Sequence, residues 1–169
     1  TVEEGGEEFA SRPEGQRKLL VLLDMNGTLL VRAKTRKAFG SARKPDLKVG
    51  DRFYFFRPGA KELVGMLSTH PSIDFAFYTS MRMNNALPAA RLLDQEGVSF
   101  VPRWNLFDQT YNHFSKDDPQ HSWGGFRRNL PKVWKSGIAK GHNEMSTVTI
   151  DDTPVKMKEF HRNVIVVDE

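Results

Sequence analysis

The chain has 169 residues, 38% of them hydrophobic and 27% charged, which fits one globular domain and excludes a disordered or fibrous protein. It has no cysteine, which excludes a disulfide framework, a thiolate nucleophile and a cysteine zinc site. The formal net charge is +4, yet the excess is local: between Val31 and Gly50, Arg32, Lys34, Arg36, Lys37, Arg43, Lys44 and Lys48 are opposed by one acid, Asp46.

Residues 1 to 17 are polar, with glutamates and glycines ahead of any apolar run, and read as a flexible acidic leader to a domain at 18–169. No stretch approaches the roughly 20 apolar residues of a membrane span. Lys18 to Leu23 (KLLVLL) is a short continuous apolar run, the pattern of a strand buried on both faces. It ends in Asp24-Met25-Asn26-Gly27-Thr28, where Asn-Gly demands a turn. The basic segment, residues 32–48, reads as a solvated loop or as a surface for an acidic or phosphorylated partner. Nucleic acid is less favoured, because Phe39 is its one interleaved aromatic.

Asp51 to Phe56 reads as a second extended segment. Arg57-Pro58-Gly59 then breaks the chain, and Ala60 to Thr69 carries apolar residues at helical spacing. A strand is predicted over Ser72 to Ser80, a helix over Asn84 to Gly97 with a glycine stop, and a short strand over Val98 to Val101. Arg103 to Gly125 mixes Trp, Asn, Asp, Gln, His and Gly without a period and reads as an irregular insertion. Strands are predicted again at Thr147 to Ile150 and Asn163 to Val167. Alternating strands and helices argue for an α/β fold with a mostly parallel open sheet flanked by helices. In such sheets ligands sit outside the carboxyl ends of the strands.

Three predicted strands end in hydroxyl or acid clusters: Asp24 to Thr28, Thr79-Ser80, and Asp151-Asp152. Acids at two buried strand ends suit a hard cation such as magnesium, which prefers oxygen ligands. Thr28 and Thr79 offer hydroxyls to a phosphate, and a base from the stretch Arg127 to Lys140 would offset its charge. An aspartate beside a metal can attack phosphorus and form an aspartyl-phosphate. The five histidines show no metal-ligand spacing and read as structural or surface residues. Aromatics such as Trp104, Phe107 and Tyr111 read as anchors of the insertion to the core.

From Lys18 to Val167 the chain resembles the haloacid-dehalogenase superfamily, in the branch of the RNA polymerase II C-terminal-domain phosphatases, also called NLI-interacting-factor-like phosphatases. Leu22-Leu23-Asp24-Met25-Asn26-Gly27-Thr28-Leu29 is similar to the first motif, D-x-D-G/E-T-L after hydrophobic residues. Phe77-Tyr78-Thr79-Ser80 is similar to the second, and Phe56-Arg57-Pro58-Gly59 to the turn that opens the following helix. Asn129-Leu130-Pro131-Lys132-Val133-Trp134 resembles the third-motif neighbourhood, and Ile150-Asp151-Asp152-Thr153-Pro154 the fourth. The resemblance implies a Rossmann-like sheet, magnesium, and phosphoserine or phosphothreonine in proteins as substrate. It implies Asp24 as nucleophile and metal ligand, the Asn26 carbonyl as second ligand, and Asp151 with Asp152 completing the metal site. Thr79, with Thr28 and Ser80, would bind the phosphoryl group. The branch includes nuclear and mitochondrial members, and the compartment is left open.

Two departures bear on activity. Asn26 stands where the family has the aspartate that protonates the leaving oxygen and activates water, and an amide has no proton to exchange. The chain therefore reads as an attenuated phosphatase, as a pseudophosphatase that serves as a binding or scaffold module, or as an engineered inactive form, with a native Asn favoured. The third-motif lysine aligns with Arg128, and Lys132 is the alternative occupant. The resemblance also places further elements after Glu169, so the chain reads as truncated there.

Overall fold

The run LLVLL has no polar face to turn to water, and the chain solves this by placing it in the middle of a sheet. In a computed structural model that describes residues 18–94, 104–117 and 124–168, it forms β1 (Leu19–Leu23). Beside it lie β5 (Ile73–Tyr78) and β9 (Thr147–Asp151), then β6 (Asn105–Phe107) and β10 (Val164–Val166) at the edges. The order is β10-β9-β1-β5-β6, and every pairing is parallel.

Alternation along β1 feeds two layers. Val21 and Leu23 point with Phe75 and Phe77 into a cluster that takes Val64 and Leu67 from α1 (Ala60–Thr69) and Ala86, Ala90 and Leu93 from α2 (Met83–Leu93). Leu20 and Leu22 point the other way, against Leu130 and Val133 of α3 (Leu130–Lys135) and Met157 of the 3-10 segment Pro154–Asn163. Leu20, Leu22 and Leu23 have no exposed surface, a contribution of about 1.5–3 kcal/mol each. The expected α/β sheet with helices on both faces is what the chain adopts.

Three local expectations differ. Asp51 to Phe56 does hold a strand, β4 (Arg52–Phe56), but it sits in a separate antiparallel sheet between β2 (Leu30–Ala33) and β3 (Leu47–Val49). Both of its partners come from the basic stretch, whose alternating apolar residues the charges concealed. Its bases divide accordingly: Arg43 lies 5.4 Å from the Phe39 ring and donates to the Phe56 carbonyl, and Lys48 lies over Phe53, while Lys34, Arg36, Lys37 and Lys44 are exposed.

The stretch expected to be irregular is more ordered than predicted. It holds β6, the edge strand beside β5, and β7 (Asn112–Ser115), which pairs antiparallel with β8 (Gly125–Arg128). A three-residue strand such as NLF leaves too short a pattern to detect. Trp104 anchors the stretch as expected, its ring edge-on to Phe77 and its N–H donating to Asp94. The predicted strand at Val98 to Val101, the glycine stop of the second helix and the acidic leader lie outside the described residues.

Candidate active site

The loop after β1 has two demands on it: it must leave the sheet at once and return to start β2. Gly27 meets them with a left-handed φ of 94°, the Leu29 and Leu30 amides donate to the Met25 carbonyl, and the Gly27 amide donates to that of Leu30. The Asp24 amide donates to the Ile150 carbonyl, so parallel pairing sets Asp24 and Asp151 side by side at the carboxyl end of the sheet. Asp152 faces them: a Cβ on Gly27 would come within 2.1 Å of its carboxylate. Asp24, Asp151 and Asp152 each present an oxygen within 4.8 Å of the others.

Such a cluster of buried acids requires cations. Arg128, the last residue of β8, supplies one from beneath. Its Nη2 donates to Asp24 Oδ1 at 2.6 Å, its Nε to Asp151 Oδ2 at 2.9 Å and its Nη1 to Asn112 Oδ1 at 3.0 Å. Its guanidinium also lies 4.7 Å from the centre of the Tyr78 ring. Burial works against the charge on Arg128, but Asp151 and Asp24 outweigh it and hold the group above its ordinary range. Burial dominates at Asp24 and pushes its carboxyl up to about 7, with Arg128 pulling down and Asp151 pushing further up. Burial likewise raises the Tyr78 hydroxyl to about 12, so it stays neutral, donating to the Tyr111 carbonyl and accepting from the Asn129 amide.

Above these groups opens a cleft of about 780 Å³ lined by Asp24, Asn26, Thr79, Ser80 and Asp152 among others. Thr79 Oγ1 accepts from the Met81 amide, which leaves its proton free to turn into the cleft. Ser80 Oγ lies 3.5 Å from Arg128 Nη1. Asn26 is exposed at the mouth, with Oδ1 accepting from the Arg32 amide at 3.0 Å. Thr28 stands behind the carboxylates instead of in the cleft, its hydroxyl donating to Asp24 Oδ2. Lys132 is not brought to the cluster: on α3 its ammonium bonds the Thr110 carbonyl and lies 5.4 Å from the Tyr111 ring. Of the two candidates from the third-motif region, Arg128 is the one that meets the acids.

Two participants escaped the sequence reading. Lys156, two residues after Pro154, lines the cleft and pulls on the Asp24 carboxyl; its place one turn beyond Asp152 was the available signal. Asn112 joins the Thr79 carbonyl to Arg128, and nothing in its sequence context marks it.

The donor set fits a hard divalent cation: three clustered carboxylates, no nitrogen or sulfur ligand among the described residues, and a buried Asp24 that burial and Asp151 leave short of positive charge. The profile of NLI interacting factor-like phosphatases matches residues 19–169. The chain belongs to this family. It is thus a haloacid-dehalogenase-type domain of the C-terminal-domain phosphatase branch. No curated protein matches it by sequence. Among solved structures it is similar to Fcp1, an essential RNA polymerase II CTD phosphatase, at 14% identity and a TM-score of 0.57 over 90% of this chain and 42% of that one. It is also similar to a fission yeast Fcp1 variant bound to beryllium fluoride, at 16% identity and a TM-score of 0.56, again over 90% and 42%. The chain thus spans less than half the length of these structures, and they share its fold. Among the described residues, no helix is long and apolar enough to cross a membrane.

Proposed function

We propose that this domain is a magnesium-dependent phosphatase for phosphoserine or phosphothreonine in proteins, acting through an aspartyl-phosphate on Asp24 and attenuated by Asn26. The observation that carries the reading is the juxtaposition of Asp24, Asp151 and Asp152 beside an open cleft that Asp24 and Asp152 line, with Arg128 locked beneath Asp24 and Asp151. Asp24, Asp151, Asp152 and the Asn26 carbonyl would hold the metal, which when bound neutralises the phosphoryl oxygens and draws the Asp24 carboxyl into its charged, nucleophilic form.

Asp24 attacks phosphorus, and the bond from phosphorus to the seryl or threonyl oxygen breaks. Arg128 holds Asp24 Oδ1 and Thr28 holds Oδ2, which fixes the carboxylate for attack. Thr79 and Ser80 donate to the phosphoryl oxygens, and Lys156 offsets their charge. The departing alkoxide then needs a proton. Asn26 cannot give one, because its side chain has amide protons only and its oxygen already accepts from the Arg32 amide. Water must supply the proton and must also attack the aspartyl-phosphate without help, and losing such help costs about 10²- to 10⁴-fold. That deficit is also what favours the second reading, a pseudophosphatase that retains the pocket to bind a phosphoprotein.

Hydrolysis of p-nitrophenyl phosphate with and without magnesium, in the protein, Asn26→Asp and Asp24→Ala, tests both. The phosphatase reading expects magnesium-dependent turnover that rises by about a hundredfold or more in Asn26→Asp and disappears in Asp24→Ala. No turnover in either form that retains Asp24 leaves the binding module.

A further inference from the structure

The cleft holds more positive charge than one phosphate can use. Besides Lys156 it is lined by Arg32, Arg57 and Arg82. The three clustered carboxylates are already opposed by Arg128 and Lys156. With a divalent cation bound there, a single phosphoryl dianion leaves that inner set one negative charge from neutrality, so one arginine balances it and the charge of two more lies in excess.

Nor are they satisfied within the protein. Among the described residues none of the three pairs with a carboxylate. Arg32 faces the ring of Tyr54 at 5.8 Å and acts on the Tyr54 hydroxyl, while its Nε is shut off from water without a hydrogen-bond acceptor, a costly condition for a charged donor. Arg57 reaches only a backbone carbonyl, that of Asp168, at 3.3 Å. Arg82 is exposed at the start of α2.

Each arginine is also placed by an element that places the inner site. The Arg32 amide donates to Asn26, the Arg57 amide donates to the Leu29 carbonyl of the same loop, and Arg82 follows Thr79-Ser80-Met81 directly. The three side chains thus line the same cleft as Asp24. Arginine, unlike lysine, offers a planar fork that meets a phosphate or carboxylate with two bonds at once.

We propose that Arg32, Arg57 and Arg82 form a second anion subsite, which selects phosphopeptides carrying a further negative group, a phosphoryl above all, close in sequence to the phosphate that Asp24 attacks. The subsite rests on the phosphatase reading for the direction in which the peptide lies. It makes the preferred substrate a multiply phosphorylated or acidic segment instead of an isolated phosphoserine.

Fluorescence anisotropy with labelled phosphoserine peptides tests this on the full chain. One peptide carries a single phosphoserine, and the others carry a second phosphoserine or a glutamate placed in turn at each flanking position. The subsite predicts that at one or two flanking positions the second phosphoserine tightens binding about tenfold or more, with glutamate giving a smaller gain. Arg82→Gln, at an exposed position, lowers that preference several-fold, and Arg82→Lys restores part of it. Arg32→Gln does the same and adds the pocket's inner wall to the test. A gain that is the same at every position reports a diffuse field from the basic loop and overturns the subsite. Equal binding of singly and doubly phosphorylated peptides overturns it too, while leaving the phosphatase reading intact if p-nitrophenyl phosphate is hydrolysed. Failure of every peptide together with failure of p-nitrophenyl phosphate overturns both.

Discussion

The two ends of the central sheet both bury charge, and they bury it differently. At the amino end Asp74, at the start of β5, accepts from His142 at 2.7 Å and lies 3.5 Å from Lys18, while the other nitrogen of His142 meets Ser146 Oγ at 3.0 Å. One carboxylate faces several partners there, and neither Asp74 nor His142 lines the cleft. At the carboxyl end three carboxylates cluster, two of them, Asp24 and Asp151, against one buried guanidinium, and Asp24 and Asp152 open onto a cavity. A Ser-His-Asp chain of hydrogen bonds at the first end ties loops to the sheet, whereas the second end leaves charge for a ligand to complete. Buried charge marks a functional site when the protein's own groups fail to balance it.

That contrast can be broken most directly by mutation of its acids. Asp24→Asn is expected to reduce phosphatase turnover to background. Asp74→Asn is expected to leave kcat unchanged and to lower Tm, since it weakens the buried links to His142 and Lys18, away from the cleft. Loss of turnover in both would mean that the two ends are not functionally distinct. Next in size, Arg128→Met strands Asp24 and Asp151 without their buried partner, and a loss of about 3–5 kcal/mol is expected in urea unfolding. Magnesium should restore part of it, because the cation proposed for this site would face the same acids.

The pH dependence sharpens the comparison further. Because the Asp24 carboxyl rises from 3.8 to about 7 on folding, the folded metal-free protein binds a proton there more tightly than the unfolded chain. Its contribution is thus fully present below about pH 4 and lost as pH climbs to about 7, and every tenfold gain in that proton affinity is worth about 1.4 kcal/mol. Thermal melts in a chelator should show Tm falling across that window through this group, and saturating magnesium should flatten the fall. Smallest is Gly27→Ala, which costs about 1–2 kcal/mol for its left-handed backbone and pushes Asp152 out of the cluster. Weakened magnesium binding by titration calorimetry, beyond the loss of stability, is the expected mark.

Much of this site could be read before the fold was known, because acids at the ends of apolar strands are a local pattern. Asp24 and Asp151-Asp152 each close a run that must be buried, and a parallel sheet brings such ends together without further information. Arg128 was legible only as one of two bases, since its selection over Lys132 depends on where β8 ends and α3 begins. The side chains of Arg32, Arg57, Arg82 and Asn112 were not legible as a group. They come from four separate segments, and only the packing of β2 and α2 beside the β1 loop gathers them. The same limit hid the β2-β4-β3 sheet, whose register joins segments that charge made look like loop.

The place of β1 has a consequence for synthesis. Of the described strands, β1 is made first and is the middle of the sheet, and its partner β9 begins at Thr147. Until that residue emerges, one edge of LLVLL is open to any other extended chain, and Asp24 with Arg128 lacks Asp151. A nascent or shortened chain ending before β9 is therefore an aggregation hazard with a half-formed charge cluster, and productive folding waits on the emergence of Thr147–Asp151.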